Sequence, residues 1–172
     1  DVCPGRMGGQ MTAKGLMHTL WEGGWAILAL RLLVGFGFAA HGYAKLERGP
    51  EQFAATLTGM GMVAPLFMAW LVTLLELLGG VLLMAGAFVR PLCLPLSVIM
   101  VTAMVGVHLP YGFSSVKLRA ITAQGAQFGP TGYEINLFYL AAMLVVAVAP
   151  AGLFSVDAWL ARRRRLLASN QS

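Results

Sequence analysis

Charge is what this chain has least of. Only 11% of its 172 residues are charged while 58% are hydrophobic, where a soluble domain of this size carries roughly a quarter charged residues. That scarcity, with apolar residues gathered into runs long enough to cross a bilayer, excludes an ordinary soluble domain with buried core helices. Cysteine is nearly absent too: Cys3 and Cys93 are the only two, and they form no Cys-x-x-Cys pair. This argues against a dithiol redox relay, since both fall at or near the side where thiols stay reduced. Cys93 reads instead as a small packing residue in a helix. No internal repeat and no pair of broken helices is visible, which places a small-molecule transporter last among the functional readings. Nor does the start look like a cleavable signal peptide, because the first apolar run is too long and keeps polar residues.

What is present is four apolar runs, read as spans over about 24–46, 63–89, 91–109 and 134–151. The expected fold is an all-α integral membrane four-helix bundle in one domain covering residues 1–172. The net charge of +5 does not point to nucleic acid, because four of the twelve basic residues form one run, Arg162–Arg165, after the last span. Such a run sets topology and touches anionic lipid. It places both termini in the cytoplasm, with Arg6, Lys14, Arg90 and Arg162–Arg165 inside against Lys45, Arg48, Lys117 and Arg119 outside, seven to four. The expected location is a bacterial inner membrane, crossed several times.

Residues 1–10 read as an extension or a disordered lead, with Met7 or Met11 as a natural start. Trp21 and Trp25 stand where interfacial aromatic anchors belong. Pro50, Phe53, Leu57 and Gly59 predict a short outer helix between the first two spans. Val89-Arg90-Pro91 is a very short inner turn, so the second and third spans are antiparallel neighbours. The segment 110–133 is the longest outside the spans and reads as a simple loop or as a lid folded over the bundle. Ser155 with Asp157 predicts the start of a short interfacial helix ahead of the arginines.

Six ionisable side chains lie within or at the edges of the runs, where hydrocarbon penalises each of them. Arg31, Gly35, Phe38, His41, Gly42 and Lys45 fall within an arc of about 120°, at roughly 100° per residue. Glu76, Gly79, Gly80, Leu83, Ala87 and Arg90 share a stripe on the second span. Small and polar residues on one face describe an inward surface, and the glycines permit close approach of another helix. Counting about 1.5 Å per residue puts Glu76 near mid-bilayer and Arg31 a turn or two toward the cytoplasm. This predicts an internal Arg31–Glu76 pair, serving as glue between helices or in proton handling. His41, Lys45, His108, Tyr133 and Glu134 reach one outer level from three helices, which predicts a ligand-binding or proton-handling cluster. Two histidines and a carboxylate could hold a metal, but His-x-x-x-His and Glu-x-x-His spacings are missing, and no metal site is assigned. Paired histidine ligation of a haem by His41 and His108 would need matching depth and room between the helices. A quinone is the chemically apt cofactor: it needs donors at its carbonyls, a carboxylate or histidine to exchange protons, and an apolar cleft.

The run Arg31-Leu-Leu-Val-Gly-Phe-Gly-Phe-Ala-Ala-His41-Gly42-Tyr-Ala-Lys45-Leu resembles the first helix of the DoxX family. Glu76-Leu-Leu-Gly79-Gly80 with Gly86 and Arg90 resembles its second. His108, Gly112-Phe113, Gly132-Tyr133-Glu134, then Gly152 with Ser155 and Asp157 continue the likeness over about residues 25 to 160. The resemblance implies a small four-helix inner-membrane protein. Members are associated with terminal quinol oxidases, thiosulfate:quinone oxidoreductase and thiol or oxidative-stress complexes. The implied role is an accessory, non-catalytic subunit of a redox complex; if it is catalytic, the activity is that of a quinone-linked oxidoreductase. A structural or assembly partner without a ligand is the alternative. Expected partners are membrane lipids and other membrane subunits or further copies of the chain, not nucleic acid.

Overall fold

A computed structural model describes residues 24–150, 152 and 154–169. The expectations for residues 1–10, Cys3 and Trp21 lie outside these. Within them the chain forms α1 (Trp25–Arg48), α2 (Pro50–Gly59), α3 (Pro65–Ala85) and α4 (Val89–Ala103). A π-helical segment, Met104–His108, and a 3-10 turn, Leu109–Tyr111, carry α4 onward. Strands β1 (Leu118–Thr122) and β2 (Gly125–Phe128), then α5 (Glu134–Val148) and α6 (Val156–Ser169), complete the order.

Among the described residues, three helical stretches are long and apolar enough to cross a membrane: Trp25–Arg48, Pro65–Ala85 and Val89–Tyr111. The fourth apolar helix, Glu134–Val148, has 15 residues, about 22 Å of rise. It stops short of the expected 151 because Ala149, before Pro150, adopts an extended backbone. The outside of the bundle is apolar, unlike that of a soluble bundle. Leu33, Phe36, Phe67, Leu78, Leu94 and Leu144 face outward, whereas Arg31, Thr73, Glu76 and Asn136 are buried. So broad an apolar exterior, with charged and polar side chains turned inward, suits hydrocarbon and not water. This is a membrane protein.

The tightest seam runs between α1 and α3. A Cβ on Gly35 would come 2.7 Å from the Gly80 carbonyl oxygen, and one on Gly80 would strike the Ala39 nitrogen. Gly42 likewise abuts the backbone of Leu77. These contacts fix an antiparallel register, in which 35 faces 80 and 42 faces 77. A core of Val34, Phe38, Leu83, Val89, Leu96, Met143 and Val146 joins α1, α3, α4 and α5. Cys93 is buried in that core as a free thiol, the packing role expected of it.

The short helix begins at Pro50 and ends at Gly59 as the turn residues predict, and it buries Ala54 and Leu57 against Ala69 of α3. The segment 110–133 is neither a simple loop nor a lid. Its middle is an antiparallel hairpin, Leu118 opposite Phe128 and Thr122 opposite Gly125, with an irregularity between Leu118 and Ala120. Its base is tied by backbone bonds: Gly132 N–H to Ser114 (3.1 Å), Tyr133 N–H to Gly112 (3.1 Å) and Glu134 N–H to Phe113 (3.0 Å). At the other end of the bundle α6 starts where expected, with Ser155 Oγ accepting from Ala158 N–H at 3.1 Å.

Candidate functional site

A cavity of about 630 Å³ opens between α1, α2, α3, the end of α4 and the start of α5. Apolar side chains make most of its wall: Phe53, Leu57, Met60, Met62 and Met68 on the α2–α3 side, Val98, Ile99, Met100 and Val107 opposite. Methionines suit such a wall because their unbranched thioethers adapt to irregular shapes. Met60 reaches across to Gly106 in the π-helical segment, where any Cβ would collide with its methyl group. The absence of a side chain at 106 leaves room for the Met60 methyl group.

Into this apolar hollow α1 delivers His41, Lys45 and Arg48, α3 delivers Glu76, and the π segment delivers His108. From α5 come Asn136 and, one turn on, Tyr139. Lys45 Nζ donates to Glu76 Oε2 in an ion pair whose side chains are 24% and 5% exposed. The ammonium also lies 4.9 Å from the centre of the Phe53 ring. Glu76 thus keeps its charge compensated while bordering the cavity. His108 Nδ1 is bonded to the Thr131 carbonyl at 3.0 Å. Asn136 is 2% exposed, and its Nδ2 donates to the Met100 carbonyl at 3.4 Å. Among the described residues no cluster of His, Cys, Asp and Glu is arranged to hold a metal ion.

The expected Arg31–Glu76 pair does not form. The antiparallel register that sets Gly35 against Gly80 places Lys45, not Arg31, beside Glu76. Arg31 lies opposite Gly86 and is 2% exposed; its Nη2 donates to the Phe154 carbonyl at 2.5 Å. Asp157 sits in the same corner. Its carboxylate accepts from Phe88 N–H (3.0 Å) and Val89 N–H (3.1 Å), capping α4. Depth counting alone missed this because it ignored the glycine contacts that set the register.

Of the five residues expected to gather at one level, His41, Lys45 and His108 border the cavity and Tyr133 and Glu134 do not. Glu134 Oε2 accepts from Ser115 N–H at 2.9 Å, and Tyr133 packs edge-on against Phe113. Both hold the base of the hairpin segment. From 110–133, Thr131 alone borders the cavity. Asn136, Tyr139 and the methionine wall were not read as site residues. Asn136 two positions after Glu134, in an otherwise apolar helix, was the available signal.

Residues 26–109, which contain both glycine-lined stripes with Arg31, His41, Lys45 and Glu76, match the DoxX family model. Those residues are a DoxX domain. It spans α1 to the end of the π segment, so it supplies His41, Lys45, Glu76 and His108. Thr131, Ile135, Asn136 and Tyr139, on the remaining side of the cavity, follow the DoxX domain in the chain. No curated protein and no solved structure gives a match.

Proposed function

We propose that this protein binds a quinone-class ligand or a lipid of similar size in the cavity, as an accessory subunit of a respiratory or redox membrane complex. The observation that carries the reading is one hollow of about 630 Å³ with apolar walls and a few converging polar groups, His41, Lys45, Glu76, His108 and Asn136. A ring-sized head with an apolar tail matches both its volume and its polarity. The proposal takes the protein as multi-pass in a bacterial inner membrane. Both termini are cytoplasmic, because Arg90 and Arg162–Arg165 lie toward one end and Lys45 and Arg48 toward the other. The cavity then faces the outer leaflet.

The chain's own groups bind and orient here. Lys45 is placed to donate to a carbonyl of the head, while Glu76 and the histidines are placed to exchange a proton with it. No step of electron transfer is assigned to this chain, and its electrons would come from a partner subunit. Other membrane subunits, or further copies of the chain, are the expected partners.

The test is quinone-linked respiration in membranes carrying His41→Ala or the double variant Lys45→Met with Glu76→Leu, which leaves no stranded charge, together with mass spectrometry of proteins that co-purify under native conditions. Reduced respiration with an intact complex supports the reading. Unchanged respiration in both variants contradicts it. A purely architectural role is favoured by one observation, the Lys45–Glu76 pair bridging α1 and α3. It predicts instead that complex yield and stability fall together with activity.

A further inference from the structure

The hairpin at 118–128 lies outside the cavity wall, and its side chains sort by face. In an antiparallel ladder, partners across the strands share a face and successive pairs alternate. Leu118 pairs with Phe128 and Ile121 with Ala126, while Ala120 pairs with Gln127 and Thr122 with Gly125. The first two pairs therefore lie on one face and the last two on the other. Leu118 and Ile121 are three apart, so an unbroken strand would turn them to opposite sides. The irregularity between Leu118 and Ala120 leaves Arg119 as one extra residue, a β-bulge, and brings them to the same side. The three large apolar side chains of the hairpin thus form one face, and each is more than half exposed.

The fold sets where that face lies. The third stretch long enough to cross a membrane ends at Tyr111, and α5 opens at Glu134. Backbone bonds from Gly132, Tyr133 and Glu134 to Ser114, Gly112 and Phe113 clamp the base of the hairpin onto those two ends. Leu118 and Phe128 are each four residues from the clamp, no farther than about 14 Å along the chain. The face therefore starts within reach of the headgroup layer. Its charge has one sign: residues 110–133 contain Lys117 and Arg119 and no Asp or Glu. Both cations stand at the foot of the hairpin. Gly129 N–H donates to the Lys117 carbonyl at 2.8 Å, and the Arg119 side chain lies against Gly129. An apolar face with cations at its foot fits an anionic phospholipid layer, phosphates meeting the cations and acyl chains meeting Leu118, Ile121 and Phe128. A second copy of the chain would instead set these cations against their like.

We propose that the hairpin docks its Leu118, Ile121 and Phe128 face into the anionic phospholipid surface at its own end of the bundle. The ligand of the cavity plays no part in this contact. The test uses the full chain with Cys3→Ala and Cys93→Ala, carrying a single nitroxide label through Leu118→Cys, Ala120→Cys, Ile121→Cys or Gln127→Cys. Each is reconstituted at one copy per nanodisc of phosphatidylcholine mixed with phosphatidylglycerol. Access of the label to oxygen, which concentrates among acyl chains, is compared with access to a water-soluble nickel chelate. Labels at 118 and 121 are expected to meet oxygen in preference to nickel, and labels at 120 and 127 the reverse. A cation beside an anionic surface is worth about fivefold in binding, so Lys117→Gln with Arg119→Gln is expected to lower the docked-to-free ratio at 121 by about tenfold or more. Raised salt should lower it too, with no further substitution. Equal nickel access at all four positions overturns the proposal. So does protection at 118 and 121 that appears only with two copies per disc, which gives the face to a second copy. Protection just as strong in phosphatidylcholine alone, unmoved by the double variant or by salt, overturns the anionic partner.

Discussion

At the Arg31 end of the bundle, a buried guanidinium donates to the Phe154 carbonyl and Asp157 caps α4 through Phe88 and Val89. At the His41 end, Lys45 and Glu76 pair on the wall of a hollow. The two ends use similar side chains, equally costly to place in hydrocarbon. At the first, the backbone of Phe154, Phe88 and Val89 takes up Arg31 Nη2 and the Asp157 carboxylate, and α6 closes the corner. At the second, His41, Lys45, Glu76 and His108 border a hollow with apolar walls. The difference separates a structural use of intramembrane charge from a binding use, within one molecule and across a single helix seam.

Breaking the open end should have the largest effect on stability. Lys45→Ala leaves Glu76 buried without its counter-charge and is expected to destabilise by about 3 kcal/mol. Replacing both partners, Lys45→Met with Glu76→Leu, should recover stability to within about 1 kcal/mol of wild type, while ligand binding stays lost. Denaturant titration in detergent, paired with ligand titration, checks both halves. If the double variant still binds, the ion pair plays no part in recognition.

Next comes the seam that sets the register of both ends. Gly80→Ala forces a methyl group onto the backbone of α1, where Ala39 N and Gly35 O lie about where it must go. Thermal unfolding should show a loss of about 1–3 kcal/mol, with ligand affinity reduced as Lys45 and Glu76 are pushed apart. A smaller effect is expected at the closed end. Asp157→Ala removes the acceptor for two N–H groups and should lower stability by about 1–2 kcal/mol. Hydrogen exchange at Phe88 and Val89 should quicken, and ligand affinity should not change. A loss of affinity in this variant would show that the two ends are coupled.

Much of this architecture was legible in the chain. The polar stripe from Arg31 to Lys45 and the glycines of Gly79-Gly80 mark the inward faces, because lipid penalises polar side chains turned outward and small residues let helices approach closely. Pro50, Gly59 and Ser155 mark the ends of α2 and the start of α6 through backbone requirements that hold locally. Register was a different matter. Pairing Arg31 with Glu76 rested on depth alone, whereas the pairing depends on which glycine meets which backbone across the seam. The hairpin at 118–128 was missed because alternation over so few residues is weak beside its Gly-rich setting. Glu134 was legible as a carboxylate at the right level, yet its backbone partner at Ser115 comes from a tertiary turn that no spacing reveals. Asn136 was passed over in an apolar helix, although an amide buried there has few reasons to persist.

The most direct test of a hollow that binds against a corner that braces is organic extraction of small molecules from protein purified with its native lipids. Wild type, Asp157→Ala and Ala103→Phe, which fills the cavity wall, are compared at equal amounts of folded protein. The account predicts a stoichiometric quinone-class or lipid ligand in the first two and its loss in the third. Equal recovery from the filled variant, or no stoichiometric ligand from wild type, would contradict it.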